Sequence, residues 1–408
     1  MNSSNNILRN KLLWLTLIIM IYILGSNIPI PNVAVNLGNL SEDNQFLEIA
    51  SSTTGGNLLG TSLFALGLGP WMSSLIIWRV LSLSKKLKIK SLAPKKSQRI
   101  QMILMLVIAL LQGYVLAGNF EYVNNENVKF NIFSTLAILI AGTFFLVWLG
   151  NMNNLKGLGG PIVIVVVGIV KQWAGQIFNL FLEKYSYYNQ YKIFFILIVL
   201  LGVFIMVLVM ILFEMAEYRV PVNRVLINNE YFEKSYLAIK LNPAGGLPVM
   251  YALSITVLPS YIIRFLLRFY PDNEALKVIL KNIDITEVYG VLIYILCLIT
   301  LTIGFAFLNV NPEEISENLR KNGDYIDNIR PGKNTEKYLS RIVFKFSIIG
   351  SIYIVILAGL PVIYSISSKQ GFKYMMISGT VLILSSLVYN ILEQVKIILI
   401  RNKYKTLF

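Results

Sequence analysis

Four charged side chains, Glu214, Arg264, Arg268 and Glu393, fall within or beside long apolar runs. In such surroundings a charge can relay a proton or bind a coupling ion, because it is costly to bury and is kept for a purpose. All four lie toward the ends of their runs, where snorkelling to an interface accounts for them. The run centres carry Ser, Thr, Asn, Gln and Gly instead. Histidine is absent from all 408 residues, which excludes Ser-His and Cys-His nucleophile pairs, imidazole metal sites and imidazole proton relays. The single cysteine, Cys297, sits in an apolar run and reads as a small buried hydrophobe. There is no acid-rich motif for magnesium and a diphosphate and no GxxxxGK[ST] nucleotide loop. No catalytic residue, metal or cofactor is therefore expected, and any energy input must come from a partner.

The elements that carry these residues follow from composition. Hydrophobic residues make up 56% of the chain and charged residues only 14%, where an ordinary soluble domain has about 25% charged. Mean hydropathy is +0.65. Too few polar side chains remain to clothe a water-facing globule, so an all-α polytopic membrane protein is expected. A bilayer core about 30 Å thick takes roughly 20 apolar residues as helix. Ten runs qualify: 12–31, 63–83, 100–118, 132–150, 160–180, 191–216, 245–266, 288–310, 342–366 and 374–400. Of the 36 Lys and Arg, 24 fall on the connections and termini of one side and 9 on the other. The positive-inside rule then places both termini in the cytoplasm. The net charge of +15 is mostly this topological signal plus attraction to anionic lipid, and no nucleic-acid partner is needed. The connections 217–244 and 311–341 are long, polar and mixed in charge, which suits either a docking surface or a solvated connector.

Glycine and proline mark the irregular spans. The second run follows GGNLLGTS (55–62) and continues LFALGLGPWMSS, with Pro70 near its middle; the seventh opens NPAGGLPVMYALS. They hold matching second positions in a chain of five plus five helices, as in inverted repeats that place interrupted helices around a central path. Broken backbone is tolerated in a membrane only where it meets protein or water.

Several segments, in order, resemble the SecY family of protein-translocase channels. They are GSNIPIP (25–31), FALGLGPWMSS (64–74), AGTFFLVWLGNMNNLKGLGG (141–160), LNPAGGLPVMYA (241–252) and SGTVLILSS in the last run. The most specific is NPEEISENLRKNGDYIDNIRPGKNTEKYLSRI (311–342). The resemblance implies ten transmembrane helices in two inverted halves of five, 1–190 and 191–408, around an hourglass pore. It implies a plug within about 50–62, and an apolar pore ring of Leu68, Met72, Ile162, Val166, Met250 and Leu384. A narrow apolar collar dewets and blocks ions without gripping a passing chain. It also implies a lateral gate between the second and third spans on one side and the seventh and eighth on the other, with Ser73, Ser74 and Gln112 along it. The loops bearing Arg219 and Arg330 are implied to dock a SecA-type ATPase. A SecE-type small membrane subunit, or accessory Sec subunits, and a signal-sequence-bearing preprotein complete the implied partners, within a bacterial cytoplasmic membrane.

Certain departures are informative. The 217–244 loop is short for the family, Trp71 stands where tyrosine is common, and Gly160-Pro161 where Asn-Gly is common. These features are similar to the accessory, second SecY of certain Gram-positive bacteria, which implies export of serine-rich glycoprotein adhesins. A housekeeping SecY for general secretion is the alternative. A small-solute secondary transporter is a further one, but needs a mid-membrane charge.

Overall fold

The computed structural model describes residues 2–34, 54–56, 61–83, 92–123, 127–171, 190–224, 235–285, 287–367 and 372–405. Ten helical segments coincide with the ten apolar runs. They are α1 (Asn2–Gly25), α2 (Gly69–Leu83), α3 (Pro94–Ala117), α4 (Val128–Lys156), α5 (162–171) and α6 (Gln190–Met215). After them come α7 (Leu247–Phe269), α9 (Val288–Asn309), α11 (Lys333–Ile354) with its continuation α12 (Leu360–Ser367), and α13 (Phe372–Lys405). Seven helices are long and apolar enough to cross a membrane by length and composition. The remaining three, α2, α5 and α6, correspond to expected spans too, although α2 is only 15 residues long and 172–180 of the fifth run lies outside the described residues.

Two strands and two short helices were not foreseen. Strands β1 (Glu217–Pro221) and β2 (Tyr236–Lys240) form an antiparallel hairpin, so the described residues are not wholly helical. Helix α8 (Glu274–Ile283) joins α7 to α9, and α10 (Pro312–Asn322) joins α9 to α11. Each is too short and polar to register as a membrane run.

Pro70 does not interrupt a span. The segment 63–68 is turn, and α2 starts at Gly69 with Pro70 in its first turn, where a missing N–H is no loss. Helix α7 begins the same way, with Pro248 in the first turn behind the turn residues 243–246. A different break appears between α11 and α12, where Val355–Gly359 form a π-helical turn. Pro361, one residue into α12, has no N–H to give the Leu357 carbonyl. The Ser378 hydroxyl from α13 donates to that carbonyl instead, at 2.6 Å.

Helices α1 to α5 meet the later helices along two lines. On one, α2 and α3 pack against α7; on the other, α1 packs against α13. At the second line Gly159, in the turn between α4 and α5, donates its N–H to Gln394 Oε1 of α13 at 3.0 Å. Lys171 at the end of α5 reaches back to the end of α1, with Nζ 2.8 Å from Ser26 Oγ and 2.7 Å from Asn27 Oδ1. One continuous apolar core draws on α1 to α7, α9, α11 and α13. A second small core of Val220, Val222, Ile239, Ile326 and Leu339 lies under the hairpin.

Candidate functional site

The six candidate ring residues belong to the one large apolar core. Leu68 and Met72, one turn apart at the start of α2, are fully buried, as is Met250 in the first turn of α7. Ile162 and Val166 of α5 are half-buried against the same core. Leu384 of α13 is half-buried too and lines an apolar cavity of about 240 Å³ between α6 and α13, with Val207, Ile211 and Val388. The neighbouring α13 residues that meet the start of α7 are Leu382 and Ser386, against Gly246.

Only 54–56 and 61–62 of the candidate plug lie within the described residues. Thr54 to Gly56 are buried between α5 and the approach to α2. Thr54 carbonyl accepts from Leu68 N–H at 2.9 Å, and Gly55 carbonyl from the Tyr22 hydroxyl of α1 at 2.8 Å. The seat is lined by glycine because nothing larger fits. A Cβ on Gly168 would stand 2.7 Å from Gly55 Cα, and one on Gly67 would collide with Gly56 N. Gly67 also has φ +61°, a left-handed conformation that side chains disfavour. The segment thus rests directly behind Leu68, beside the α5 backbone.

The line between α2/α3 and α7 is closed by few bonds. Ser73 Oγ donates to Ser254 carbonyl at 3.3 Å, and Ser254 Oγ returns to Gly69 carbonyl at 3.4 Å. At the hairpin end, the Arg79 guanidinium of α2 lies 4.8 Å from the ring centre of Phe305 on α9 and 6.0 Å from that of Tyr251 on α7. At the opposite end Arg268 of α7 donates to Tyr114 carbonyl on α3 at 3.4 Å and sits 5.1 Å from the Tyr114 ring. Phe265 meets the same ring edge-on at 5.5 Å. Of the three candidate gate residues, Ser73 crosses to α7. Ser74 bonds back to Trp71 carbonyl in its own helix. Gln112 is buried on α3 near Gly69.

Sequence reasoning did not find Ser254, Arg79 or Arg268 as seam residues. A serine in an apolar helix has no signature of its own. Arg268 read as a snorkelling base until the fold set the Tyr114 ring and the end of α3 beside it, and Arg79 drew no reading of its own before Phe305 and Tyr251 were placed next to it. Snorkelling also fails for Glu214, which is buried at 4% exposure and accepts from Asn242 Nδ2 at 3.4 Å. This contact joins others that fix the turn before α7. Gly246 N–H donates to Ser386 Oγ at 2.7 Å, and Asn309 Nδ2 donates to Pro243 carbonyl at 2.9 Å. Glu393 is paired with Lys240 at 2.8 Å.

The two long polar connections dock on each other. Asn223 and Tyr325 exchange backbone hydrogen bonds of 2.8 and 3.0 Å, and Asn223 Nδ2 donates to the Asp327 carboxylate. Arg219 projects from β1, paired with Glu217 at 2.9 Å and 4.6 Å from the Tyr236 ring. Arg330 is exposed, in a turn held by the Thr335 hydroxyl donating to Arg330 carbonyl at 3.0 Å. Helix α10 runs into Gly323, whose φ of +75° ends it. The described residues hold no cluster of acids, cysteine or histidine able to bind a metal. The described parts of both connections therefore form regular, mutually packed structure.

The profile of the SecY family matches residues 62–392. Among characterised relatives, an "Accessory Sec system protein translocase subunit SecY2" of Leuconostoc gelidum subsp. gasicomitatum is 38% identical over 405 residues, covering 98% of this chain and 96% of that one. The protein of the same name from Streptococcus gordonii is 35% identical over 403 residues, covering 98% and 97%. Among solved structures, one described as "The structure of a protein conducting channel" superposes with a TM-score of 0.65 at 16% identity, over 95% of this chain and 91% of that one.

Proposed function

This chain belongs to the SecY family, and from that premise we propose that it passes unfolded secretory polypeptides across the bacterial cytoplasmic membrane for an accessory Sec system. It is a multi-pass channel subunit and not an enzyme. The reading places both termini in the cytoplasm, with the hairpin and α10 on the same side. The accessory assignment follows from the names and near-full-length coverage of the relatives, together with the short 217–244 connection.

The observation that carries the channel reading is the closed seam between α2 and α7, with residues 54–56 seated behind Leu68. Interhelical hydrogen bonds in a membrane are worth about 0.6–2 kcal/mol each, a scale that holds a gate shut and still lets a signal sequence open it. When it parts, Leu68, Met72, Ile162, Val166 and Met250 form the collar through which the extended chain moves, and Leu384, which faces α6 in the closed chain, joins it only if α13 turns. Apolar, flexible side chains there exclude water while fitting varied cargo. A SecA-type ATPase engages Arg219 and Arg330, a SecE-type or accessory small subunit braces the two halves, 1–190 and 191–408, and lipid receives the signal sequence through the gate.

Deleting the gene tests the assignment. Loss of one glycosylated surface adhesin with general secretion intact is the expected outcome. Broad secretory failure would instead identify a housekeeping channel.

A further inference from the structure

Helix α8, between α7 and α9 on the face opposite the β1–β2 hairpin, leaves one apolar flank bare. Its ten residues, EALKVILKNI, set Ala275, Ile279, Ile283, Leu276 and Leu280 on one apolar arc, with Val278 just outside it between Glu274 and Asn282, one turn from Ala275. Leu276, Leu280 and Ile283 are half-buried, whereas Ala275, Val278 and Ile279 are exposed. Lys277, Lys281 and Glu274 occupy the polar arc.

Its depth is fixed by its neighbours. At 1.5 Å per residue, the 23 residues of α7 and 22 of α9 run about 33–35 Å, slightly more than a hydrocarbon core of about 30 Å. Four-residue connections, 270–273 and 284–287, attach α8 to both. It therefore cannot stand far from the membrane surface. Exposed aromatic residues bracket it, with Phe269 and Tyr270 before it and Tyr289 after it at 59%, 63% and 65% exposure. Aromatic rings of this kind collect at the headgroup level. Asn273 caps the helix, its Oδ1 accepting from Leu276 N–H at 3.3 Å, and Ile285 just beyond its end is fully buried.

We infer that α8 is a membrane-surface anchor, its Ala275–Val278–Ile279 flank sunk among lipid headgroups and upper acyl chains. Lys277 and Lys281 rise from its polar arc toward lipid phosphates. Lipid is the occupant because amphipathic helices at this depth bury their apolar face in the headgroup boundary and present lysines to anionic phosphate. The consequence is mechanical. Helix α8 ties α7 to α9, so any movement of α7 away from α2 drags α8 through the lipid surface.

The inference rests on the membrane location of the chain and not on its cargo. A full-length Cys297→Ala chain carrying Val278→Cys, labelled with an environment-sensitive fluorophore, is placed in phosphatidylcholine–phosphatidylglycerol vesicles. Lys281→Cys and Ile279→Cys are labelled in parallel. The expected result is blue-shifted emission at 278 and 279, quenched by headgroup-proximal spin-labelled lipid and shielded from iodide, with 281 quenched by iodide. Equal iodide quenching at 278, 279 and 281 would overturn the inference, placing the flank in water. Shielding of 278 and 279 from both quenchers would also overturn it, showing cover by protein.

Discussion

The Arg268 guanidinium, on α7, lies over the end of α3 and donates to Tyr114 carbonyl at 3.4 Å. A Cβ on Gly118, the cap of α3, would collide with that guanidinium. A cation at a helix C-terminus meets the negative end of the dipole, and it gains further attraction from the Tyr114 ring. The seam is thus latched at one end by Arg268 and at the other by Arg79 over Phe305, with Ser73–Ser254 between them.

Arg268→Ala removes the latch and should destabilise the closed seam by about 1–2 kcal/mol. Export of preproteins with weakened signal sequences should rise, measured as secreted reporter. The same change at Arg264, one turn earlier, serves as comparison. Unchanged export in Arg268→Ala would remove the latch from the account.

Gly168→Ala puts a methyl group 2.7 Å from Gly55 Cα and 2.9 Å from Tyr22 Oη. Overpacking of this sort costs about 1–3 kcal/mol, and residues 54–56 should leave their seat. Single-channel recording in planar bilayers should then show resting openings absent from the parent. A silent channel would mean that 54–56 do not seal it.

Met250→Gly deletes a fully buried side chain from the first turn of α7. A wider apolar collar should conduct ions at rest, whereas unchanged conductance would argue that Met250 does not line the constriction.

Arg330→Glu reverses an exposed charge in a turn whose geometry depends on Thr335 and not on the arginine side chain. Setting like charges against each other at an interface costs several kcal/mol. ATP-driven export should collapse while the folded channel stays in the membrane, as assayed by protease-resistant fragments. Normal export would move the motor away from this loop.

The membrane architecture was legible because apolar length is a property of local sequence. Each of the ten runs holds a described helix, and the 242–248 turn marked where α7 opens, whereas Pro70, expected near the middle of a span, lies in the first turn of α2. What those residues meant was less legible. Pro70 looks like an interruption until the turn 63–68 shows that the helix starts there. Helices α8 and α10 and the hairpin are too short and polar to exceed the apolar threshold. The π turn at Val355–Gly359 depends on Ser378 arriving from another helix. The seam contacts were hidden for the same reason, since Ser254 and Arg268 acquire partners only when α7 is set against α2 and α3. Glu214 illustrates the opposite error: its place at the end of a run suggested a solvated carboxylate, but the turn before α7 folds over it.

The most direct measurement locks the seam. Ser73→Cys and Ser254→Cys are introduced into the Cys297→Ala chain, reconstituted with its motor ATPase and a preprotein, and joined by a short bis-methanethiosulfonate, which forms a disulfide with each thiol as sulfinate leaves and is cleaved by dithiothreitol. Transport into the vesicles should stop on joining and resume on cleavage, with single-cysteine chains unaffected. Undiminished transport through the joined chain would contradict the account, because a polypeptide would then be crossing without α2 and α7 moving apart.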